Sequence, residues 1–206
     1  ICVILASMVL SPLSLRAEEM MVRCIAFYNL ENLFDTIHDE GKNDYEYLPD
    51  GGMKWTSMKY KNKVQNMAYA IAQLGTDEDP RGAAVVGVSE VENIGCLNDL
   101  CSELKEKHNR NYIPILLEGP DRRGIDVGLL YNPDMFKPVG QPKGYELKAH
   151  YADGGVVRSR LQLWVSGYML DDNRKIVMDK VHFSINHWPG RSGGEESSRA
   201  RRDTAA

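Results

Sequence analysis

Basic charge is not in excess here: 25 Lys and Arg stand against 29 Asp and Glu, a formal net charge of −4. This argues against a chain that coats nucleic acid or anionic membrane by bulk electrostatics, so any phosphate recognition must be local. Cysteine is scarce too, at 4 residues, and Cys24, Cys96 and Cys101 show no metal-type pairing. With no closely spaced His pair either, zinc chemistry and a disulfide framework are both disfavoured, and these cysteines read as small buried hydrophobes. There is also no apolar run as long as a membrane span. The longest, from Ile1 to Leu15, ends at Arg16 and falls short of the roughly 20 residues a spanning helix needs. It has the character of the apolar core and cleavage end of an export signal without its Met and basic start, so residues 1–17 are expected to be a signal remnant and the rest exported. A buried helix is the alternative, disfavoured by Pro12 and its flanking serines. No repeat or disorder flag appears, and 206 residues with 43% hydrophobic content suffice for one domain with a real core.

Against that background one stretch stands out. Val85-Val86-Gly87-Val88-Ser89-Glu90-Val91-Glu92-Asn93 is an apolar run without helical period that ends in carboxylates and an amide. It reads as a core strand followed by a helix start, with Asn93 as the cap and Glu92 solvated in the first turn. Glu90 falls where the strand is still half buried. A carboxylate there calls for a cation or a cluster of donors.

Earlier in the chain, Val22 to Leu30 is strand-like and stops around Asn29. Asn29 is equally suited to ligate a site or to turn the chain by bonding its own backbone. Thr36 to Gly52, rich in Asp, Glu, Gly and Asn, reads as a long loop. A helix follows, capped by Thr56 or Ser57, striped by Val64, Met67, Ala68, Ile71 and Leu74, and closed by Gly75. After Glu90 a second helix runs from Asn93 to about His108, carrying Leu97, Leu100, Cys101 and Leu104 at helical spacing. Strands are expected over Tyr112 to Leu117 and Ile125 to Tyr131 around a loop holding Arg122 and Arg123. Lys137 to Gly144 reads as a connector. Two further strands, Val156 to Leu170 and Lys175 to Trp188, are expected around the turn Asp171-Asp172-Asn173. In the first of these, Arg158, Arg160, Gln162 and Trp164 alternate with Val157, Ser159, Leu161 and Leu163. The last finishes in Asn186-His187-Trp188-Pro189-Gly190-Arg191.

Three strands thus end in site-capable residues: Asn29, Glu90, and Asn186 with His187. Strand tips on one sheet edge converge in space, which favours a shared site over three separate turns. One carboxylate with amides and a His suits a hard divalent cation such as Mg²⁺ that keeps several waters.

The order and spacing of Tyr28-Asn29-Leu30-Glu31-Asn32-Leu33-Phe34-Asp35, Val88-Ser89-Glu90-Val91-Glu92-Asn93, Asp121 to Tyr131 and Asn186-His187-Trp188-Pro189 resemble the endonuclease/exonuclease/phosphatase family, from about Arg23 to the end. The branch resembled is the secreted or periplasmic bacterial one. The resemblance implies an α+β fold, the four-layer αββα sandwich of deoxyribonuclease I. It implies Glu90 and Asn29 as metal-site residues, with Glu90 the direct ligand of Mg²⁺, Mn²⁺ being the alternative. It implies His187, with Asn186, facing the scissile phosphate, and Arg123 and Arg191 holding phosphate oxygens. Where that branch often carries Arg-Thr-Arg-Asp, this chain has Arg158-Ser159-Arg160-Leu161.

The implied activity is metal-assisted hydrolysis of phosphodiesters by an exported, monomeric nuclease without a membrane anchor. A phosphomonoesterase, a lipid or inositol-phosphate phosphodiesterase, or a non-catalytic relic of the family are the alternatives. The family's downstream Gly-Asp-x-Asn and Ser-Asp-His motifs do not occur before Ala206. Residues 18–206 are therefore expected to be a partial domain, half to two-thirds of the sandwich, inactive alone and exposing an apolar face.

Overall fold

The computed structural model describes residues 21–147, 155–156, 159–188, 190, 194–195, 198–199 and 202–203. The expected signal remnant, Arg158 and Arg191 lie outside these residues.

Why the molecule layers as it does follows from two strands whose both faces are apolar. β2 (Val85–Val91) and β4 (Asp126–Tyr131) are buried almost throughout, as central strands covered on both sides must be. They form the middle of a four-stranded sheet in the order β1 (Ile25–Leu33), β2, β4, β3 (Ile113–Leu116), with β1 parallel to β2 and the other pairs antiparallel. Val86, Val88, Val91 and Leu130 point to one face, where α1 (Ser57–Gln73) and α2 (Ile94–His108) cover them with Val64, Ala68, Ile71, Leu97, Leu100 and Leu104. Val85, Val127 and Leu129 point to the other face, against a second sheet.

That second sheet is centred on β7 (Gln162–Met169). Leu163 pairs both Gly144 and Ile185, and Gly167 pairs both Pro138 and Val181. Hence β5 (Phe136–Pro138) and β6 (Lys143–Tyr145) share one edge and β8 (Val181–Ile185) takes the other. Phe136, Leu163, Val165, Met169 and Ile185 fill the space between the sheets. The described residues thus build helix, sheet and sheet, three layers of an αββα sandwich, and outward-facing Tyr145 and Trp164 meet edge to face on the second sheet's far side.

Both helices start and stop where expected. The Thr56 hydroxyl accepts the Lys59 N–H, the Asn93 side chain accepts the Cys96 N–H, and α2 ends at Asn109 in the left-handed conformation. Cys96 and Cys101 are buried and all three described cysteines are free, as expected.

Several expectations are corrected. The Lys137–Gly144 connector contributes parts of β5 and β6, because β7 offers an edge whose backbone groups need partners, and pairing overrides Pro and Gly content. Among the described residues of these two runs, strands occupy Gln162–Met169 and Val181–Ile185, shorter than expected. On the edge strand β1, Ile25 and Phe27 are 57% and 53% exposed.

Candidate functional site

The site begins with a bulge. Val88 faces the helices, so in a regular strand Ser89 would face the second sheet and residue 90 the helices again. Instead it is Val91 that joins the helix-side core. The register shows why: Ser89 pairs with Val127 and Val91 with Asp126, so Glu90 is the extra residue, held at φ 61°. The adjoining strand is irregular at the same level, between Asn29 and Leu33, with Glu31 and Asn32 also at positive φ. Three non-glycine residues in left-handed backbone at one end of a sheet mark strain held by the fold, a feature of functional sites.

The bulge turns the Glu90 carboxylate toward the second sheet. His187, two residues beyond β8, brings Nε2 to 3.4 Å from Glu90 Oε1, with both side chains about one-fifth exposed, at 22% and 20%. Burial is the largest influence on His187 and pushes its pKa below the usual value; Arg160 and Arg123 push the same way, against Glu90 and Asp121. The imidazole is therefore neutral at neutral pH and its contact with Glu90 is polar rather than ionic. Its other nitrogen, Nδ1, is buried without a partner among the described residues.

Two more buried polar atoms lack partners among the described residues: Ser89 Oγ, on the inter-sheet face beside Glu90, and Nε of Arg160. The Arg160 side chain is only 12% exposed, with Nη1 3.9 Å from Asp121 Oδ2. Its guanidinium is felt by His187, and it feels Glu90, Arg123, Asp121 and Asp126. Buried polar atoms without partners are rare, and three near one strand end fit a site shaped for a polar guest.

Asn29 pairs with Ser89 on the neighbouring strand, next to Glu90. Its Oδ1 accepts the Glu31 N–H at 2.7 Å, the local turn bond that was one of its two readings. Asn186 folds its amide back onto Ser184, at 2.9 Å from the hydroxyl and 3.2 Å from the carbonyl. Arg123 is held by Asp121, which accepts its backbone N–H at 3.0 Å, while the guanidinium stays half exposed in electrostatic reach of His187 and Arg160. Glu90 and His187 thus come together with Asn29 at one sheet end, and Arg123 lies within electrostatic reach.

The sequence reading left out Arg160, Ser89, Asp126 and Lys63. Lys63 on α1 donates to the Glu31 carbonyl at 2.6 Å and lies 5.8 Å from the centre of the Trp55 ring. Burial lowers its pKa while Glu31 and Glu90 raise it. A Lys on the polar side of an amphipathic helix carries no local sign of this.

Glu92 is a correction. Rather than being solvated it is 3% exposed, and its Oε2 accepts the Asp35 N–H at 2.8 Å. Burial first, with the charges of Asp35, Asp39 and Asp44 behind it, raises its pKa to about 8, the Asp35 N–H opposing. Glu92 lies just past the end of β2 and directly before the Asn93 cap, where the chain turns into α2 and sets its carboxylate against Cys96 on the helix side. There Asp35, Glu92 and Cys96 place one ligand atom each within 4.8 Å of one another.

Of the two carboxylate groupings, Glu90 with Asn29 fits a hard cation better. Both offer oxygen, and no Lys or Arg is paired with Glu90 among the described residues. The Glu92 grouping includes a thiol whose pKa burial pushes up to about 12, and it is already joined internally by hydrogen bonds.

The sequence model of the endonuclease/exonuclease/phosphatase family matches residues 24–206. The chain belongs to that family. Members of this family generally hydrolyse phosphoesters and generally use a divalent metal. No curated protein matches the chain. Among solved structures, it is similar to a family protein from Bacteroides thetaiotaomicron, at 17% identity and TM-score 0.41, covering 78% of this chain and 48% of that one. It is also similar to a functionally unknown conserved protein from Enterococcus faecalis V583, at 15% identity and TM-score 0.39, covering 78% and 50%. A third is a mannosyl-6-phosphatase from Bacteroides thetaiotaomicron VPI-5482, at 16% identity and TM-score 0.38, covering 72% and 46%. The chain spans about half the length of these proteins. Among the described residues no helix is long and apolar enough to cross a membrane.

Proposed function

We propose that this family member takes part in Mg²⁺-dependent hydrolysis of phosphodiesters, with nucleic acid as the substrate and the protein acting as an exported monomer. The observation that carries the reading is the approach of bulged Glu90 to His187 beneath Arg160 and Arg123. Glu90, with Asn29 beside it, would hold the cation. Mg²⁺ when bound supplies polarisation of a phosphoryl oxygen and stabilisation of the leaving oxygen. The rest falls to the chain itself. Arg123 and Arg160 offer guanidinium groups that match phosphate oxygens, Arg160 with its Nε still unpartnered. Neutral His187 has a single N–H, on the Nε2 that faces Glu90, and would donate it to a phosphoryl oxygen once Glu90 holds the cation. Partial burial strengthens each of these contacts.

The test is hydrolysis of bis(p-nitrophenyl) phosphate, p-nitrophenyl phosphate and single-stranded DNA by the purified full-length protein, with Mg²⁺ and after chelation. Diester cleavage that requires the cation and vanishes in Glu90→Gln is the expected result. Cleavage of the monoester alone would redirect the reading to a phosphatase, and full activity in Glu90→Gln would remove Glu90 from the metal site.

A further inference from the structure

We infer that Asp121 is a positioning residue of this same site, its carboxylate standing between Arg123 and Arg160 and directing both guanidinium groups at one phosphate while leaving their donors free. The inference rests on the phosphoester reading above.

Backbone and packing contacts place Asp121 near the strand end that carries Glu90. Asp126 pairs with Val91, directly after the bulge, and its carboxylate accepts the Gly119 N–H at 2.9 Å. Gly119 in turn lies so close to the chain entering β7 that a Cβ on it would stand 3.0 Å from the Leu161 nitrogen. Arg160 therefore enters beside the loop that holds Asp121. The same entry lies at the His187 end of the second sheet, since Leu163 pairs antiparallel with Ile185 and β7 begins where β8 stops.

Asp121 is buried and reaches both arginines. Its Oδ1 accepts the Arg123 N–H at 3.0 Å and lies 3.7 Å from Arg123 Nε, while its Oδ2 lies 3.9 Å from Arg160 Nη1. A carboxylate that only closed its own turn would need the first of these contacts and no other.

The lengths of the ion pairs are the informative part. Asp79, near the start of β1, also stands between two arginines, and there the donors are consumed. It accepts from Arg23 at 3.2 Å and from Arg81 at 2.9 and 2.7 Å, and Asp172 joins the same two arginines at 2.8 and 2.9 Å. Two acids balance two bases in a closed clasp. At Asp121 one acid faces two bases, and 3.7 and 3.9 Å are too long for hydrogen bonds. The attraction orients the guanidiniums without using up their N–H groups. Among the described residues Arg160 spends one donor, on the Ser159 hydroxyl at 3.3 Å, and its buried Nε has no partner. Two arginines held together by a single carboxylate lack one negative charge and keep free donors, and a phosphate supplies the charge and the acceptor oxygens together.

The deciding experiment is calorimetric titration of the full-length protein with inorganic phosphate in the presence of Mg²⁺, wild type against Asp121→Asn. The asparagine still offers an oxygen to the Arg123 N–H, so the turn is kept while the charge is lost. Coulomb's law alone makes anion binding tighter when a nearby acid is removed, whereas loss of positioning weakens it, by roughly tenfold at an unchanged melting temperature. Weaker binding supports the inference. Equal or tighter binding overturns it, as does absence of phosphate binding by the wild type. If the variant melts early, the guanidinium N–H resonances of the wild type decide instead. Separate Nε–H signals for Arg123 and Arg160 before phosphate is added, both shifting when it is, support the inference, and any other pattern overturns it. Loss of hydrolysis in Glu90→Gln alongside unchanged phosphate affinity in Asp121→Asn would reject the role of Asp121 and leave the proposed function standing.

Discussion

The carboxylate of Glu90 and the imidazole of His187 meet at 3.4 Å across the gap between the two sheets, although 97 positions separate them in the chain. Each group reaches the other only because β2 bulges and β8 ends beside it. Under the proposed function, Glu90→Gln and His187→Ala should each lower diester hydrolysis by roughly a hundredfold or more, without lowering the melting temperature. Initial rates under saturating Mg²⁺, read beside thermal melts, check this.

Packing around β7 gives a stability prediction. A Cβ at Gly167 would stand 2.3 Å from the Phe136 ring and 2.5 Å from the Lys137 carbonyl. Both neighbours belong to β5, one buried in the inter-sheet core and the other backbone, so neither can yield cheaply. Gly167→Ala should cost at least the roughly 1–3 kcal/mol typical of overpacking, measured by urea unfolding.

At the end of α2, Asn109 holds φ 53° and its N–H bonds the Leu104 carbonyl. Asparagine and glycine tolerate this backbone better than residues with an unadapted Cβ. Asn109→Ala should destabilise by about 1 kcal/mol and Asn109→Gly should be close to neutral, compared as denaturant midpoints.

Asp126 is buried, and that burial raises its pKa from 3.8 to about 6, opposed by the Gly119 N–H and Lys42. Between those values the folded state binds the proton more tightly than the unfolded chain does. Stability from this group is therefore greatest below the unfolded value, falls as pH rises toward the folded one by at most about 1.4 kcal/mol per pH unit, and is level above it. In Asp126→Asn that contribution disappears, so the difference in unfolding free energy between wild type and variant should follow this profile across the acid range.

Much of the fold was legible in the residues. Asn93 and Thr56 capped helices where their side chains predicted, and β2 announced itself through an apolar run with no helical period. These are local signals, written by propensity and by one residue's bond to its neighbour's backbone. The short strands β5 and β6 were not legible, because Pro138 and Gly144 pair only where β7 presents an edge. Within the candidate site, Glu90, His187, Asn29 and Arg123 were named from motif order and expected strand ends, but β1 and β2 run on past Asn29 and Glu90 to Leu33 and Val91. Arg160 could not be named, since an arginine alternating along a strand looks the same whether it faces solvent or a buried acid.

By itself, then, the sequence determined the two helices and the central strands and the chemical groups they carry, through short-range preferences that need no partner. Only the tertiary structure decided which of those groups meet. The bulge sends Glu90 toward His187, and the turn into α2 carries Glu92 into the core, where burial rather than sequence neighbours sets its ionisation. A single residue inserted in a strand exchanges the faces of everything after it. That exchange is settled by pairing with distant strands and cannot be read from any local window.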